Sequence, residues 1–337
     1  MSNVHRRFFE AEQIEAVLQR AGIDAPLTEH MLLTGGTFNS VYRLRFSDRP
    51  GLVVKLSPDP DGAAMTYERG IVETEARFYT LAGEQGGVPV PDVVALQNLD
   101  PDLGGGQVLL VTELPGCPWY GSGLATTDRG GLRADLGRLV ASLHAVTGPG
   151  FGYLSESTGA LTSCWEEAFT GMIDAVLADA ERFRADLPVP VHQVRRSLAA
   201  CSKDLAQVDV PALVHFDLWD GNVLLDLADE PRISGIIDGE RALWGDPVMD
   251  FASAALFGEI REDGDFIDGY ESSGRAMPLD VSARRRLLLY RAYLGLIMAV
   301  EPIPRGYPRA RNRLSDIVDS HLRADLAELE QLTVGAA

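Results

Sequence analysis

The residues whose types and spacing best suit a chemical reaction lie in one short segment, from His215 to Asn222. An apolar stretch runs into His215, Asp217 follows two residues later, and a tight Asp220-Gly221 turn leads to Asn222 and a second apolar stretch. Asp217 and Asn222 therefore stand five residues apart around one loop, where their side chains can converge. Phosphoryl transfer of the kinase type needs this pair, because a carboxylate accepts the proton of the acceptor hydroxyl and an amide oxygen binds Mg²⁺. The alternative is a structural histidine beside a glycine-containing hairpin turn.

A second carboxylate, Asp238, follows the apolar segment Ile233–Ile237, sixteen residues after Asn222. Mg²⁺ prefers carboxylate oxygens together with the phosphate oxygens of a substrate, so one aspartate and one asparagine are a sufficient contribution from the protein. Glu240 is placed to add a further oxygen. The alternative for a single aspartate at a strand end is a turn or capping role.

Two more aspartates lie in the segment Gly245–Ala252. Asp246 precedes a proline, which is the pattern of a helix N-cap. Asp250, one turn later, is expected to support the loop around Asp217 by hydrogen bonding. Neither is assigned to chemistry.

Lys55 lies in the apolar segment Leu52–Leu56, where a buried cation costs free energy unless it is paired. The chain has only two lysines, and its 28 other basic residues are arginine. A lysine here therefore indicates a point-charge contact with phosphate oxygens. Its predicted partner is Glu75 on the following helix, with Glu73 as the second choice. The alternative is an edge-strand lysine whose ammonium group reaches solvent.

A glycine-containing turn, Thr34–Ser40, precedes Lys55 and includes Gly35, Gly36 and Thr37. Glycines let backbone N–H groups approach anionic oxygens, so the turn is a candidate phosphate contact. Its pattern is neither GxGxxG nor GxxxxGK[ST], and taken alone it is weak evidence.

The elements that must position these residues change character along the chain. Up to about residue 115, short apolar segments between glycines and prolines predict a small, largely antiparallel sheet with one or two helices. Helical periodicity predominates afterwards, interrupted by a β-like block at 212–238. The predicted helices are 9–21, 67–82, 129–147, 163–187, 193–206, 247–258, 281–300 and 315–332. We therefore expect a β-rich lobe over 1–115, a larger helical lobe over 116–337, and a ligand site in the cleft between them.

Composition and charge restrict the class of partner. The 337 residues are 46% hydrophobic and 23% charged, an ordinary globular balance for about two domains. The net charge of −19 repels nucleic acid and anionic membranes, and it either attracts a cationic small molecule or serves solubility alone. The three cysteines lack metal-ligand spacing, the N-terminus lacks a signal-peptide pattern, and the apolar run 287–300 is too short for a bilayer. We expect a cytoplasmic monomer or homodimer that binds neither nucleic acid nor membrane.

In their order along the chain, these features resemble the aminoglycoside phosphotransferase and choline kinase superfamily, including its fructosamine-kinase-like members. The similarity extends over about residues 30–300 and is carried by the segments HFDLWDGNVLL and GIIDGERALWGDPVMDFA. The resemblance implies an α+β, two-lobed protein-kinase-like fold, with a small antiparallel β-rich N-terminal lobe that binds nucleotide and a larger, mostly helical C-terminal lobe. It also implies a small-molecule kinase that uses ATP and Mg²⁺.

Residue by residue, the resemblance implies that Asp217 is the catalytic base and that Asn222 and Asp238 bind Mg²⁺. Lys55 would hold the α- and β-phosphates of ATP, with Glu75 orienting it.

The resemblance also assigns residues outside these loops. It implies that the segment 110–116, which includes Glu113 and Leu114, is the hinge whose backbone meets the adenine. The turn with Gly35, Gly36 and Thr37 departs from the family pattern and stays a candidate phosphate contact. His144 is expected to be a packed structural histidine.

The acceptor is the open part of the prediction. Phe216 stands where many members have glycine, and Gly239 where an aromatic residue is common, so the acceptor can differ from those of known resistance enzymes. The first prediction is an aminoglycoside-type antibiotic or amino sugar. The alternatives are a small-metabolite kinase of the choline or fructosamine type and a non-catalytic, nucleotide-binding regulatory protein.

The acidic segment 258–271 either lines a pocket for a cationic acceptor or is a solvated face. Three tryptophans either contact the acceptor or pack in the core: Trp119, Trp219 and Trp244.

Overall fold

The structure, a computed structural model, describes residues 6–33, 38–124, 129–307 and 313–334. Within these ranges, the N-terminal part forms an antiparallel sheet in the order β1-β2-β3-β5-β4. The strands are β1 Leu27–Leu32, β2 Ser40–Phe46, β3 Leu52–Leu56, β4 Val93–Asn98 and β5 Gln107–Thr112. Two helices, α1 Ala11–Arg20 and α2 Ile71–Glu84, accompany the sheet. The predicted small antiparallel sheet is confirmed.

The alternation of side chains along β3 decides the position of Lys55. Leu52, Val54 and Leu56 are buried and pack in one apolar cluster with residues of α1. Val53 and Lys55 belong to the opposite face, and Lys55 there meets α2. Because side chains alternate along β3, the ammonium group of Lys55 lies on the face opposite this apolar cluster.

The remainder of the chain is mostly helical, so the predicted α+β fold with a helical C-terminal part is confirmed. Its helices are α3 Gly130–Leu143, α4 Trp165–Arg182, α5 Val191–Ala200, α6 Ser202–Leu205, α7 Val248–Ala254, α8 Gly264–Glu271, α9 Val281–Val300 and α10 Arg313–Val334. α9 is buried along most of its length and contacts α4, α6, α7 and α10. None of the helices in the described ranges is both long and apolar enough to span a bilayer.

The prediction of one continuous helix over 193–206 is wrong. The chain instead forms α5 and a separate short α6, with a break at Cys201, where ψ is 1°. At the break, the N–H of Cys201 donates to the carbonyl oxygens of both Ser197 and Leu198, at 3.2 and 3.1 Å, so the turn tightens and α5 ends. Cys201 and Leu205 are both buried, as they would be on one face of a continuous helix, so the apolar periodicity does not reveal the break.

Short strands frame the loops of the predicted site. They are β6 Cys117–Pro118, β7 Gly152–Tyr153, β8 Ala212–Val214, β9 Val223–Asp226, β10 Arg232–Ile236 and β11 Leu243–Gly245. Within the described ranges, β8 pairs with β11 in the order β7-β11-β8, whereas β9 pairs with β10 in the order β10-β9-β6. The strands that precede Asp217 and Asp238 therefore belong to different sheets, although the apolar segments before these two aspartates predict neighbouring strand ends.

Candidate active site

A buried ion cluster joins β3, α2 and the loop after β10. Lys55 Nζ lies 2.6 Å from Glu75 Oε1 and 2.6 Å from Asp238 Oδ1. The Lys55 side chain is 11% exposed and that of Asp238 is 35% exposed, whereas Glu75 is fully buried. Glu75 is thus the partner of Lys55, as the pattern predicts, because Glu73 instead accepts a hydrogen bond from the Ser155 hydroxyl group at 2.9 Å.

Burial and mutual attraction set the charges of this cluster. Burial by itself would lower the pKa of Lys55, but Asp238 and Glu75 raise it well above its ordinary value. Burial would raise the pKa of Asp238, but Lys55 holds it below its ordinary value. The pKa of Glu75 is raised, because burial outweighs the attraction of Lys55. Lys55 and Asp238 are therefore a charged pair at neutral pH.

The loop between β8 and β9 brings Asp217 and Asn222 into contact. Asn222 Nδ2 donates hydrogen bonds to the Asp217 carbonyl oxygen at 2.8 Å and to Asp217 Oδ2 at 3.1 Å. His215 Nδ1 accepts the N–H of Asp217 at 3.1 Å, and His215 Nε2 donates to the carbonyl oxygen of Ile237 at 3.0 Å. His215 therefore links the Asp217 loop to the residue before Asp238, in the neutral form that these two bonds require.

Asp250 supports the backbone of this loop, as predicted. Phe216 has φ +59°, in the left-handed region that glycine adopts more readily than other residues. Asp250 Oδ1 accepts the N–H of Phe216 at 2.7 Å and that of His215 at 3.1 Å. Asp250 Oδ2 lies 3.0 Å from His144 Nε2, and His144 Nδ1 lies 3.0 Å from the hydroxyl oxygen of Tyr270. The buried His144 thus has the packed environment expected for a structural histidine.

A second buried ion cluster, absent from the predictions, lies beside Asp217. Arg241 Nη1 is 3.4 Å from Asp217 Oδ1, and Arg241 Nη2 is 2.7 Å from Glu301 Oε1. Arg305 Nη2 lies 3.2 Å from Glu301 Oε1 and 2.6 Å from Glu68 Oε1. Arg241 stands three residues after Asp238 and directly before the apolar residues 242–244, a signal that sequence reasoning could have used. Glu301 and Arg305 follow α9 and carry no comparable local signal.

This cluster sets the electrostatic environment of Asp217. Burial raises the pKa of Asp217, and the guanidinium of Arg241 opposes that rise. Burial would lower the pKa of Arg241, but Glu301 and Asp217 raise it well above its ordinary value, so Arg241 stays positively charged. Asp217 therefore has a permanent cation beside its carboxylate.

Several oxygen atoms near Lys55 are suited to a metal ion. Among the described residues, Glu75, Asp238 and Glu240 each place one carboxylate oxygen within 4.8 Å of the others. Glu240 Oε2 also accepts a hydrogen bond from Asn39 Nδ2 at 2.9 Å. Burial and then the nearby Asp238 raise the pKa of Glu240 well above its ordinary value. Asp238 and Glu240 are partly exposed and are therefore more accessible ligands than the fully buried Glu75.

The remaining predicted nucleotide contacts are Gly35, Gly36, Thr37, Glu113 and Leu114. Gly35, Gly36 and Thr37 lie outside the described residues. The Glu113 carboxylate pairs with Arg43 and Arg45 on β2, each at 3.0 Å, and the Glu113 N–H donates to the carbonyl oxygen of Gly51 at 3.2 Å. Leu114 packs against Gly235 of β10. The side chain of Glu113 and its N–H are therefore occupied by contacts within the sheet.

The acidic segment 258–271 contributes ion pairs to the surrounding helices. Glu259 Oε2 lies 2.5 Å from Arg284 Nη1, and Asp263 Oδ2 lies 2.7 Å from Arg133 Nε. These two carboxylates are thus neutralised by arginines of the same chain.

Of the three tryptophans, Trp119 and Trp244 are buried, whereas Trp219 is partly exposed and packs against the exposed Tyr120.

Known proteins resemble this chain in sequence. The model of the family described as "Phosphotransferase enzyme family" matches residues 30–288. A protein of Enterococcus faecium named "Probable ketoamine kinase" is 25% identical over 273 residues, which cover 77% of this chain and 85% of that protein.

Two solved structures share the fold. A candidate fructosamine-3-kinase of Thermobifida fusca has a TM-score of 0.65 at 23% identity, over 92% of this chain and 98% of that one. A thermostable mutant of the aminoglycoside phosphotransferase APH(4)-Ia, in a ternary complex with AMP-PNP and hygromycin B, has a TM-score of 0.62 at 16% identity, over 96% and 98%. At these identities the likeness establishes the fold.

Proposed function

The chain belongs to the phosphotransferase enzyme family, and we propose that it transfers the γ-phosphoryl group of ATP to a hydroxyl group of a small molecule, with Mg²⁺ and with Asp217 as the base. The observation that carries this proposal is the 2.6 Å contact of Lys55 with Asp238, next to the loop that holds Asp217 and Asn222. These contacts bring together three groups: a cation for phosphate oxygens, oxygen ligands for a metal ion and a carboxylate base.

The residues present fit Mg²⁺. Asp238 and Asn222 offer oxygen donors, which this hard cation prefers. The Glu75 Oε2 atom is buried without a hydrogen-bond partner among the described residues, so the site has acceptor capacity beyond what Lys55 satisfies. Asp238 and Asn222 would hold the ion, and its positive charge would offset the charge of the phosphates.

Each protein group then has a definite task. Lys55 binds phosphate oxygens as a point charge, and Glu75 keeps its ammonium group in place. Asp217 accepts the proton of the acceptor hydroxyl group, and Arg241 favours its ionised form. Positioning and charge stabilisation supply most of the rate enhancement in such a mechanism.

We also propose the division into a nucleotide-binding lobe, 1–115, and a catalytic and acceptor-binding lobe, 116–337. The five-strand pairing of the N-terminal sheet ends with β5 at Thr112, and the next strand, β6, pairs with β9 of the C-terminal part. The change of sheet between these strands supports a boundary near residue 115.

For the acceptor we propose an amine-bearing sugar derivative of the ketoamine type. The relative named a ketoamine kinase supports this choice, because the match covers 85% of its length. An aminoglycoside is the second candidate, supported by the fold shared with APH(4)-Ia in complex with hygromycin B. The ion-paired state of Glu259 and Asp263 lessens the case for a polycationic acceptor.

A nucleotide-consumption screen tests the proposal. The acceptors are a fructosamine, hygromycin B, kanamycin, choline and glucose, each with MgATP. We expect acceptor-dependent turnover with the fructosamine, loss of at least about a hundredfold in Asp217→Asn, and wild-type turnover in the surface control Asp226→Asn. Equal turnover in Asp217→Asn and wild type would exclude Asp217 as the base. Binding of MgATP without turnover on any acceptor would favour the regulatory alternative.

A further inference from the structure

Tyr79 lies at the centre of the contacts that hold Lys55. It follows Glu75 by four residues on α2, so both side chains project from the same face of the helix. Its hydroxyl group donates a hydrogen bond to Glu75 Oε1 and accepts one from the backbone N–H of Asp238 at 3.0 Å. The side chain is buried. One phenol group therefore connects the helix glutamate to the loop that carries Asp238.

Both partners depend on this hydroxyl group. Asp238 has φ +66°, a left-handed conformation that costs free energy in a non-glycine residue and persists only when its surroundings hold it. Without Tyr79, its N–H would lose the acceptor it has in this structure. Glu75 is fully buried, and its Oε1 atom accepts hydrogen bonds from both Lys55 and Tyr79. Burial and then the Glu75 carboxylate raise the pKa of Tyr79 well above its ordinary value, so the phenol keeps the proton that it donates.

We propose that Tyr79 is a positioning residue for the phosphate site: its hydroxyl group bridges Glu75 and the backbone of Asp238 and thereby fixes the two carboxylates that orient Lys55. The inference rests on the proposed function, since it takes Lys55 as the phosphate ligand. The positioning of Lys55 is assigned to the hydroxyl group and not to the ring, because the ring of Tyr79 packs against Phe78 independently of these hydrogen bonds.

The test compares two variants that each lose one buried hydroxyl group. Tyr79→Phe removes the bridge and keeps the ring. Tyr42→Phe is the matched control, because Tyr42 is buried in the same sheet region and its hydroxyl group accepts the N–H of Phe9 at 2.8 Å. Thermal unfolding of both variants shows that they are folded and measures the general cost of losing such a hydrogen bond.

The main measurement is the chemical reactivity of Lys55, which can be followed because the chain has only two lysines, and it needs no nucleotide. Lys55 and Lys203 are the only lysines of the chain, and Lys203 is exposed. Acetylation by an N-hydroxysuccinimide ester, followed by peptide mass spectrometry, gives the reactivity of Lys55 relative to Lys203. The second readout is the affinity for MgATP, measured by calorimetry.

We expect the ratio of Lys55 to Lys203 labelling to rise about tenfold in Tyr79→Phe and to stay at the wild-type value in Tyr42→Phe. The affinity for MgATP should fall by a similar factor in Tyr79→Phe alone. An unchanged labelling ratio in Tyr79→Phe, or an equal rise in both variants, would overturn the positioning role. If labelling responds as expected but the wild-type protein binds no MgATP, the bridge is supported and the proposed function is refuted.

Discussion

Replacing Arg241 by methionine tests whether the positive charge beside Asp217 controls the base. Methionine keeps an unbranched apolar chain but removes the guanidinium group that lies 3.4 Å from Asp217 Oδ1 and 2.7 Å from Glu301 Oε1. Burial already raises the pKa of Asp217, and Arg241 is the largest influence that lowers it. We therefore expect a still higher pKa for Asp217 in the variant.

Two measurements follow from this change. In the proposed mechanism Asp217 must be ionised to accept a proton, so the rate is expected to fall as the pH decreases through its pKa. A higher pKa moves the acid limb of the kcat/KM profile to higher pH. Removing one partner of a buried ion pair also lowers the free energy of unfolding, by about 3–5 kcal/mol. For a chain of this length, that corresponds to a decrease in Tm of about 4–7 °C.

Arg286→Met separates the two effects. Arg286 Nε lies 2.7 Å from Asp246 Oδ2, and its side chain is 10% exposed, as is that of Arg241. The control should lose a similar amount of stability and keep the acid limb of the wild-type protein. If Arg241→Met lowers Tm but leaves the acid limb where it is in the control, Arg241 does not tune the base and the reasoning is refuted.

Other substitutions test the supports of the loop and the surrounding fold. Asp250→Asn places an amide group opposite the N–H groups of His215 and Phe216, so we expect the free energy of unfolding to fall by about 1–3 kcal/mol in urea titrations, with reduced ATP turnover. Gly171→Ala lies within α4, with open space at the added Cβ, and should raise the free energy of unfolding by about 0.5–1 kcal/mol with unchanged turnover. Burial raises the pKa of Asp325 from 3.8 to about 6. Because the folded protein then holds a proton on Asp325 that the unfolded chain releases, the contribution of Asp325 to stability should fall as the pH rises from about 4 to 6. In urea titrations across this range, the free energy of unfolding of Asp325→Asn should therefore rise relative to that of the wild-type protein as the pH increases, and a parallel pH dependence in both proteins would contradict it.

The site residues that the sequence could predict share a local signal. Asp217 and Asn222 are five residues apart on one loop, and Lys55 is one of two lysines in the chain. The hydrogen bonds between Asp217 and Asn222 follow from that local arrangement. Glu301, in contrast, reaches Arg241 only because α9 packs across the C-terminal part, and no spacing along the chain encodes that contact.

The fold shows the same division between local and distant causes. The helix predicted at 281–300 has the observed bounds of α9, because Asp280 caps it locally by accepting the N–H of Ala283 at 2.8 Å. The helix predicted over 193–206 is interrupted at Cys201, and the apolar periodicity does not encode this break, because Cys201 and Leu205 would share one face of a continuous helix as well. The apolar character of Leu52–Leu56 predicted that Lys55 needs a partner, whereas the assignment of β8 and β10 to different sheets required the three-dimensional structure.

The pairing of Lys55 with Asp238 reconciles two demands that the proposed function places on buried groups. Lys55 would need positive charge to bind phosphate, and Asp238 would need negative charge to bind a metal ion, yet an unpaired buried charge is costly. Their contact at 2.6 Å keeps both groups ionised. With MgATP bound, the phosphates would supply negative charge to Lys55 and the metal ion would supply positive charge to Asp238, so neither group would be left unpaired. The buried Glu75 and Tyr79 would keep Lys55 in place, whereas Asp238, the most exposed of these four residues, would be the one free to accept a ligand.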